Sequence, residues 1–558
     1  MLVTIGILTS GLIALLAAPR GAAATEIRGA VADERGRPIA GATVRVQATA
    51  VAARTDSRGR FVLEHEPAGD RSLLDDAPGP VVLTAWKEGY LNGASEGDEE
   101  AVIVLKPVPS GDNDDYRWLS PDFPNLLERA DIVFRKGLVA VTGNEQLGSR
   151  FTRNCSNCHA DSAVAQWRTD AHSRAARNPI VLSMYNGTGA DGRSGVFPGY
   201  RLDFPNSDGN CASCHAPLHA LSSESGGDLN AVTGIARQGI SCDFCHKVRD
   251  VELHPDGGFP GVLSMKLNRP AEGRQVFYGP YDDAVAGPDS FAAVYAESRF
   301  CAACHDGKFW GVSIYSEFEE WAESSYAQEG VQCQDCHMQS DGKATRVAAA
   351  DNGGVRRSPQ DISTHAFRGP ADVRFMTEAV ELNLSAAKSG DGVDVDVALS
   401  NAGAGHHLPT GVPMRNVILV LEAVDANGKA LRQVDGPVVP EWGGSGRPQE
   451  GNYAGQPGRG FAKILADAAK SFPRANPDRR SPIPHWRQSV VVSDNRIPAR
   501  ATDVSRYRFD HTGPGASEEA VTVRARVIYR RAFKPWIDAK GWPLEDLEIA
   551  RSEKTIFR

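Results

Sequence analysis

Ten cysteines, Cys155, Cys158, Cys211, Cys214, Cys242, Cys245, Cys301, Cys304, Cys333 and Cys336, resolve into five C-x-x-C pairs with none left over. A histidine follows each pair at once, in CSNCH, CASCH, CDFCH, CAACH and CQDCH: His159, His215, His246, His305 and His337. Two thiols three positions apart reach the two vinyl groups of one porphyrin, and the next residue then lies against the iron from one side. This is the spacing that attaches haem c. Zinc ribbons use such pairs in twos, so five pairs is the wrong number and the histidines have no role. A thioredoxin-like site needs one pair, not five. The reading is five covalently attached haem c groups, each iron ligated on one face by the histidine of its motif.

The opposite face of each iron decides function, because a second protein ligand closes the haem for electron transfer while an open face admits substrate. Nine further histidines supply candidates. His172, in WRTDAHSRAARNP, and His365, in STHAFRG, suit that role. His219 lies four residues after His215, on the same helical face, so it must serve a neighbouring haem. His406 and His407 leave a strand in GAGHHLPTG with diverging side chains, so one of them is expected to ligate. His254, in LHPDG, is a further candidate or an ordinary loop residue. His65, His485 and His511 read as structural or exposed, and Met265 is an alternative ligand.

Three kinds of segment must position these groups. Residues 25–108 alternate apolar and polar positions between glycine turns, as in IAGATVRV and SRGRFVL, and predict a small β-sandwich. Residues 109–370 hold all five motifs with little long periodicity and predict a mainly helical and irregular domain whose core is haem. There Ser316 and Glu319 predict a capped helix to about Ala327, and a second helix is expected from Ala163 to Ala176, ending before Pro179. Residues 371–558 return to strands: Val393 to Leu399 alternates, Val417 to Val424 is more buried, and Asp425-Ala426-Asn427-Gly428 is a hairpin turn. The expectation is a second β-sandwich, interrupted by a Gly/Pro-rich loop from about 443 to 486. Motif starts are 56, 31, 59 and 32 residues apart. Both a duplicated unit and coincidence account for that alternation.

Composition bounds the function. With 41% apolar and 23% charged residues among 558, the chain is neither a polytopic membrane protein nor mostly disordered. Acidic residues outnumber basic ones 70 to 61, so no overall basic field attracts nucleic acid. Residues 1–24 read as a signal peptide, an apolar run before Ala22-Ala23-Ala24, although the run lacks a leading Lys or Arg; a retained anchor is the alternative. Cleavage leaves no transmembrane span and takes the net charge from −9 to −10, since only Arg20 is lost. Haem propionates deepen this to about −15 by charge counting, so the expected redox partners present basic docking surfaces. Haem c is attached outside the cytoplasm, which places the chain in the periplasm or at the cell surface of a bacterium.

Two resemblances add to this. GAVADERGRPIAGATVRV, TDSRGRFVL and LTAWKEGY resemble the carboxypeptidase regulatory-like domain, which implies a non-catalytic sandwich. GISCDFCHKV, FCAACHDGKFWGVSIYSEFEEWAES and SYAQEGVQCQDCHM, within roughly residues 150–370, resemble the multihaem cytochromes c related to hydroxylamine oxidoreductase and the tetrahaem nitrification cytochrome. That resemblance implies haems packed in parallel and perpendicular pairs as a conducting chain, with His365 in a distal-ligand pattern. Five haems is neither that family's four nor its eight. No motif ends in lysine, so the catalytic haem of the pentahaem nitrite reductases is absent. GPYDDAVAGPDSFAAVYAESRFC carries no histidine, which leaves one haem short of a distal ligand unless His254 serves.

The sequence therefore predicts an exported pentahaem cytochrome that carries electrons between redox partners. The alternatives are an oxidoreductase with one open haem acting on a small nitrogen or sulfur compound, and a surface-assembly component of an electron conduit.

Overall fold

The computed structural model describes residues 25–65, 81–97, 100–121, 154–222, 227–254, 261–468, 482–512 and 520–557. The expected signal segment, 1–24, lies outside them. The chain is multidomain, with an N-terminal β region, a helical and irregular middle and a strand-rich C-terminal region. It divides into two compact units: residues up to Pro107 together with Asp282–Val285, and Val108–Tyr281 together with Ala286–Arg558.

The first unit packs two sheets face to face. One orders β4 (Arg60–His65), β1 (Thr25–Asp33) and β7 (Glu100–Leu105). The other orders β3 (Ala52–Arg54), β2 (Thr43–Val46), β5 (Val82–Trp86) and β6 (Gly93–Glu96). Strict alternation in β4 and β7 sends Phe61, Leu63, Ala101, Ile103 and Leu105 inward. The pleat's period of two explains why one face is apolar. Asp282 belongs to this unit through paired hydrogen bonds of 2.9 and 3.0 Å from Arg45.

In the second unit the strand-rich region builds two four-stranded sheets. The first orders Val380–Ser389, Gly392–Asn401, Thr502–Asp510 and Gln433–Asp435; the second orders Gly458–Phe461, Asn416–Val424, Val521–Arg530 and Leu547–Ile556. Val393, Val395, Val397, Leu399, Val417, Leu419, Phe509, Val523 and Val527 share one core. The Gly/Pro-rich stretch expected as a loop contains strands Gly458–Phe461 and Lys463–Asp467; residues 469–481 of it lie outside the described residues. Both strands carry buried side chains that the sheet and core can use, which outweighs the local glycines.

The middle region folds as short turns, and two expected helices are broken there. The Ala163–Ala176 segment is helical only over Ala165–Thr169, bends at Asp170 and continues as a 3₁₀ turn, His172–Arg177. Asp170 is the cause: its carboxylate accepts the backbone N–H of His172 at 2.8 Å, a local bond that competes with the helix. Pro179 then opens a new helix to Asn186, capped by the Asn178 side chain and closed by Gly187 in the left-handed region (φ 67°). The second segment runs Glu317–Ala322 and restarts at Ser325–Gln328. Ser316 makes no cap; its hydroxyl donates to Glu320 Oε1 at 2.6 Å. Middle and C-terminal portions share a core of Met184, Ile464, Trp486, Phe533 and Trp536.

Candidate functional site

Each C-x-x-C-H motif sits on one helical turn: Ser156–His159, Ala212–His215, Cys242–Cys245, Arg299–His305 and Cys333–His337. A helical turn brings residues three and four apart to one face, so each pair of sulfurs and the following imidazole line a common crevice. All ten cysteines are half-buried, and no disulfide joins them. Among the described residues no cluster of three or more His, Cys, Asp or Glu side chains surrounds a point as a bare metal ion would require.

Thiols of different motifs meet. Cys155 neighbours Cys242, Cys214 neighbours Cys304, and Cys301 neighbours Cys333. Cys301 also lies close to Cys245. The attachment turns are therefore contiguous, the first beside the third, the third beside the fourth, and the fourth beside both the second and the fifth.

Three motif histidines each face a histidine from elsewhere. His246 and His365 have ring centres 6.4 Å apart, His337 and His406 6.2 Å, and His305 and His172 6.4 Å. Two imidazoles bound through Nε2 to one metal, at about 2.0–2.1 Å per bond and with each ring centre roughly 1.1 Å beyond its nitrogen, stand about 6.3 Å apart. The planes are 29°, 18° and 82° apart respectively. Backbone carbonyls hold the Nδ1 atoms of His246 (Tyr278, 2.6 Å), His337 (Arg368, 2.6 Å) and His406 (His407, 3.0 Å), which leaves their Nε2 atoms for a metal. His305 leaves 52% of its side-chain surface accessible. These residues fit haem iron.

Burial sets the protonation of the rings. It lowers His365 to about 3, helped by His246 and His159, and lowers His337 to about 4, helped by His406. Burial also lowers His215 to about 4, with His305 and His172 adding to the effect. All three rings are neutral at pH 7 and able to donate a lone pair.

The remaining predicted residues fall as follows. His159 Nδ1 meets the Val347 carbonyl at 2.6 Å, and no other imidazole faces its ring among the described residues. His219 lies on the turn Pro217–Ser222, separated from the motif turn at Ala216, and its Nε2 is buried without a hydrogen-bond partner. His254 is exposed beside the undescribed residues 255–260. His407 turns away from the His337 crevice toward Glu320, 3.7 Å from Oε1.

His485, expected to be structural or exposed, is half-buried and lies near His215; its Nε2 shares a hydrogen bond of 3.0 Å with Tyr315 Oη. The sequence missed three groups. Glu320 seats the loop carrying His406: its carboxylate accepts the His407 N–H at 3.1 Å, the Thr410 hydroxyl at 2.8 Å and Arg496 at 2.5 Å. Asp170 and Glu317 touch the Nδ1 atoms of His172 and His305, at 2.7 and 3.5 Å. Only Asp170, two residues before His172, had a local sequence signal.

Residues 26–97 match the carboxypeptidase regulatory-like domain, and residues 154–247 match the family of cytochrome c554 and c-prime. Together with the fold, these matches support a multihaem c-type cytochrome with an N-terminal carboxypeptidase regulatory-like domain. Among solved structures, a penta-heme cytochrome c552 from Thermochromatium tepidum shares the fold, with a TM-score of 0.50 at 20% identity, over 72% of this chain and 97% of that one. No curated protein matches the sequence.

Proposed function

We propose that the chain is an exported pentahaem c-type cytochrome that passes single electrons between redox proteins. The observation that carries this reading is the set of three histidine pairs at 6.2–6.4 Å, each joining a motif histidine to one from outside any motif. An iron held from both faces has no position for substrate and can only gain or lose an electron. The haems supply the redox chemistry; this chain spaces them, ligates them and keeps water from them. Adjacent thiols of different motifs support a continuous conductor, in which the fourth motif is the branch point. Export follows from haem c attachment outside the cytoplasm, and among the described residues no helix is long and apolar enough to cross a membrane. The acidic balance favours partners with basic docking surfaces, and their encounter is salt-sensitive.

The second reading, an oxidoreductase with one open haem, is favoured by one observation at the second motif. Of the imidazoles near His215, His172 and His305 face each other, and the Nε2 of His485 is engaged by Tyr315 and so is not offered to iron.

Haem content by pyridine haemochrome, with EPR of the oxidised protein before and after adding nitrite, hydroxylamine or cyanide, tests both. Five haems, all low-spin and indifferent to ligands, establish the carrier. A high-spin signal that shifts on addition establishes the open haem. Fewer than five haems would refute the pentahaem reading.

A further inference from the structure

The neighbours of the Nδ1 atoms sort the histidine pairs into two kinds. His246, His337, His159 and His406 each meet a neutral backbone carbonyl, at 2.6, 2.6, 2.6 and 3.0 Å. The His172 and His305 pair differs on both sides. Asp170 Oδ1 stands 2.7 Å from His172 Nδ1, and Glu317 Oε1 stands 3.5 Å from His305 Nδ1. Among the described residues, this is the one facing pair with a carboxylate behind each ring.

A carboxylate behind a ligating imidazole draws its N–H proton, makes the ring more basic and places negative charge near the metal, which favours the higher oxidation state. Burial strengthens the effect, because screening by water is weak there. Asp170 exposes 4% of its side chain and Glu317 17%. Arg415 opposes the effect: a Cβ placed on Gly411 would lie 3.1 Å from Glu317 Oε1 and would also meet the Arg415 guanidinium, so the two side chains are neighbours. Among the described residues no lysine or arginine pairs with Asp170, whose ring partner is His172.

We infer that Asp170 and Glu317 are positioning residues that make the haem of the fourth motif the most negative in potential of the set. The inference rests on the proposed ligation of that iron by His172 and His305. Its consequence is directional: the attachment turn that neighbours those of the second, third and fifth motifs carries the last haem to accept an electron and the first to release one.

The haem can be followed by itself. Its imidazole planes are 82° apart, and near-perpendicular planes produce a highly anisotropic low-spin ferric EPR signal, distinct from the rhombic signals of the pairs at 18° and 29°. The experiment is a redox titration of the holoprotein, read by the loss of that signal, in wild type and in E317Q, D170N and R415Q. In wild type the signal should vanish at the lowest potential of all. E317Q and D170N should each shift it upward and R415Q downward, while the rhombic signals stay in place. A signal that is not the lowest, or that neither carboxylate substitution moves, overturns the inference while leaving bis-histidine ligation standing. H172A separates the two: it should replace the anisotropic signal by a high-spin one at unchanged haem content. Persistence of the signal in H172A would overturn the ligation, and the inference with it.

Discussion

His406 faces His337 across 6.2 Å with the ring planes 18° apart, one ring from the loop after strand Gly392–Asn401 and the other from the last motif turn. Each has its Nδ1 on a backbone carbonyl, so each presents Nε2. H406A should convert one low-spin haem to high-spin, seen by EPR and by a blue shift of the Soret band. H407A should leave the spectrum unchanged, because that ring turns toward Glu320. Equal effects from the two would refute the assignment.

Glu320 and Arg496 form a buried ion pair, each with 5% of its side chain exposed. E320A leaves Arg496 with only Asp494 and removes the acceptor for the His407 N–H and the Thr410 hydroxyl. Removing one partner of a buried pair costs about 3–5 kcal/mol. Chemical denaturation should show a loss of that order, accompanied by a weakened low-spin signal from the His337 haem. A loss below about 1 kcal/mol, the range of exposed pairs, would place the pair in solvent.

Acid should unfold the protein through its histidines. His365, lowered to about 3 mainly by burial and then by His246, stays neutral in the fold while an unfolded histidine protonates near its ordinary value of 6.5. His337, lowered to about 4 by burial and His406, behaves alike. A depressed folded pKa means this stability is fully present above pH 6.5 and declines as pH falls toward 4 and 3. Iron on the same nitrogens adds to the effect with the same sign. Denaturant midpoints measured from pH 7 to pH 3.5 should fall through that window. A flat profile would show that the rings protonate freely in the folded state.

Because every motif cysteine lies in the second unit, deletion of residues 25–107 should leave haem content and the EPR spectrum intact. Loss of a haem on deletion would show that the first unit supports an attachment crevice.

The five motifs were legible in the sequence because haem attachment is local: two thiols and an imidazole within five positions define it wherever the turn sits. Strands such as Arg60–His65 and Gly392–Asn401 were legible for a similar reason, since a pleat with one buried face writes a period of two into the chain. The helix expected to Ala327 is broken because Ser324, in extended conformation, donates its hydroxyl to the Trp321 carbonyl at 2.7 Å and caps the next turn. His172 and His365 were singled out as ligand candidates, but nothing in their neighbourhood names His305 and His246 as the rings they face. The partner of His485 was not legible because Tyr315 lies far away in the chain. The sequence by itself determined five C-x-x-C-H motifs and the set of further histidines that could stand opposite them. Tertiary structure alone decided which imidazole stands opposite a motif histidine and whether a carbonyl or a carboxylate stands behind it, because those contacts join segments that approach only when the chain is folded.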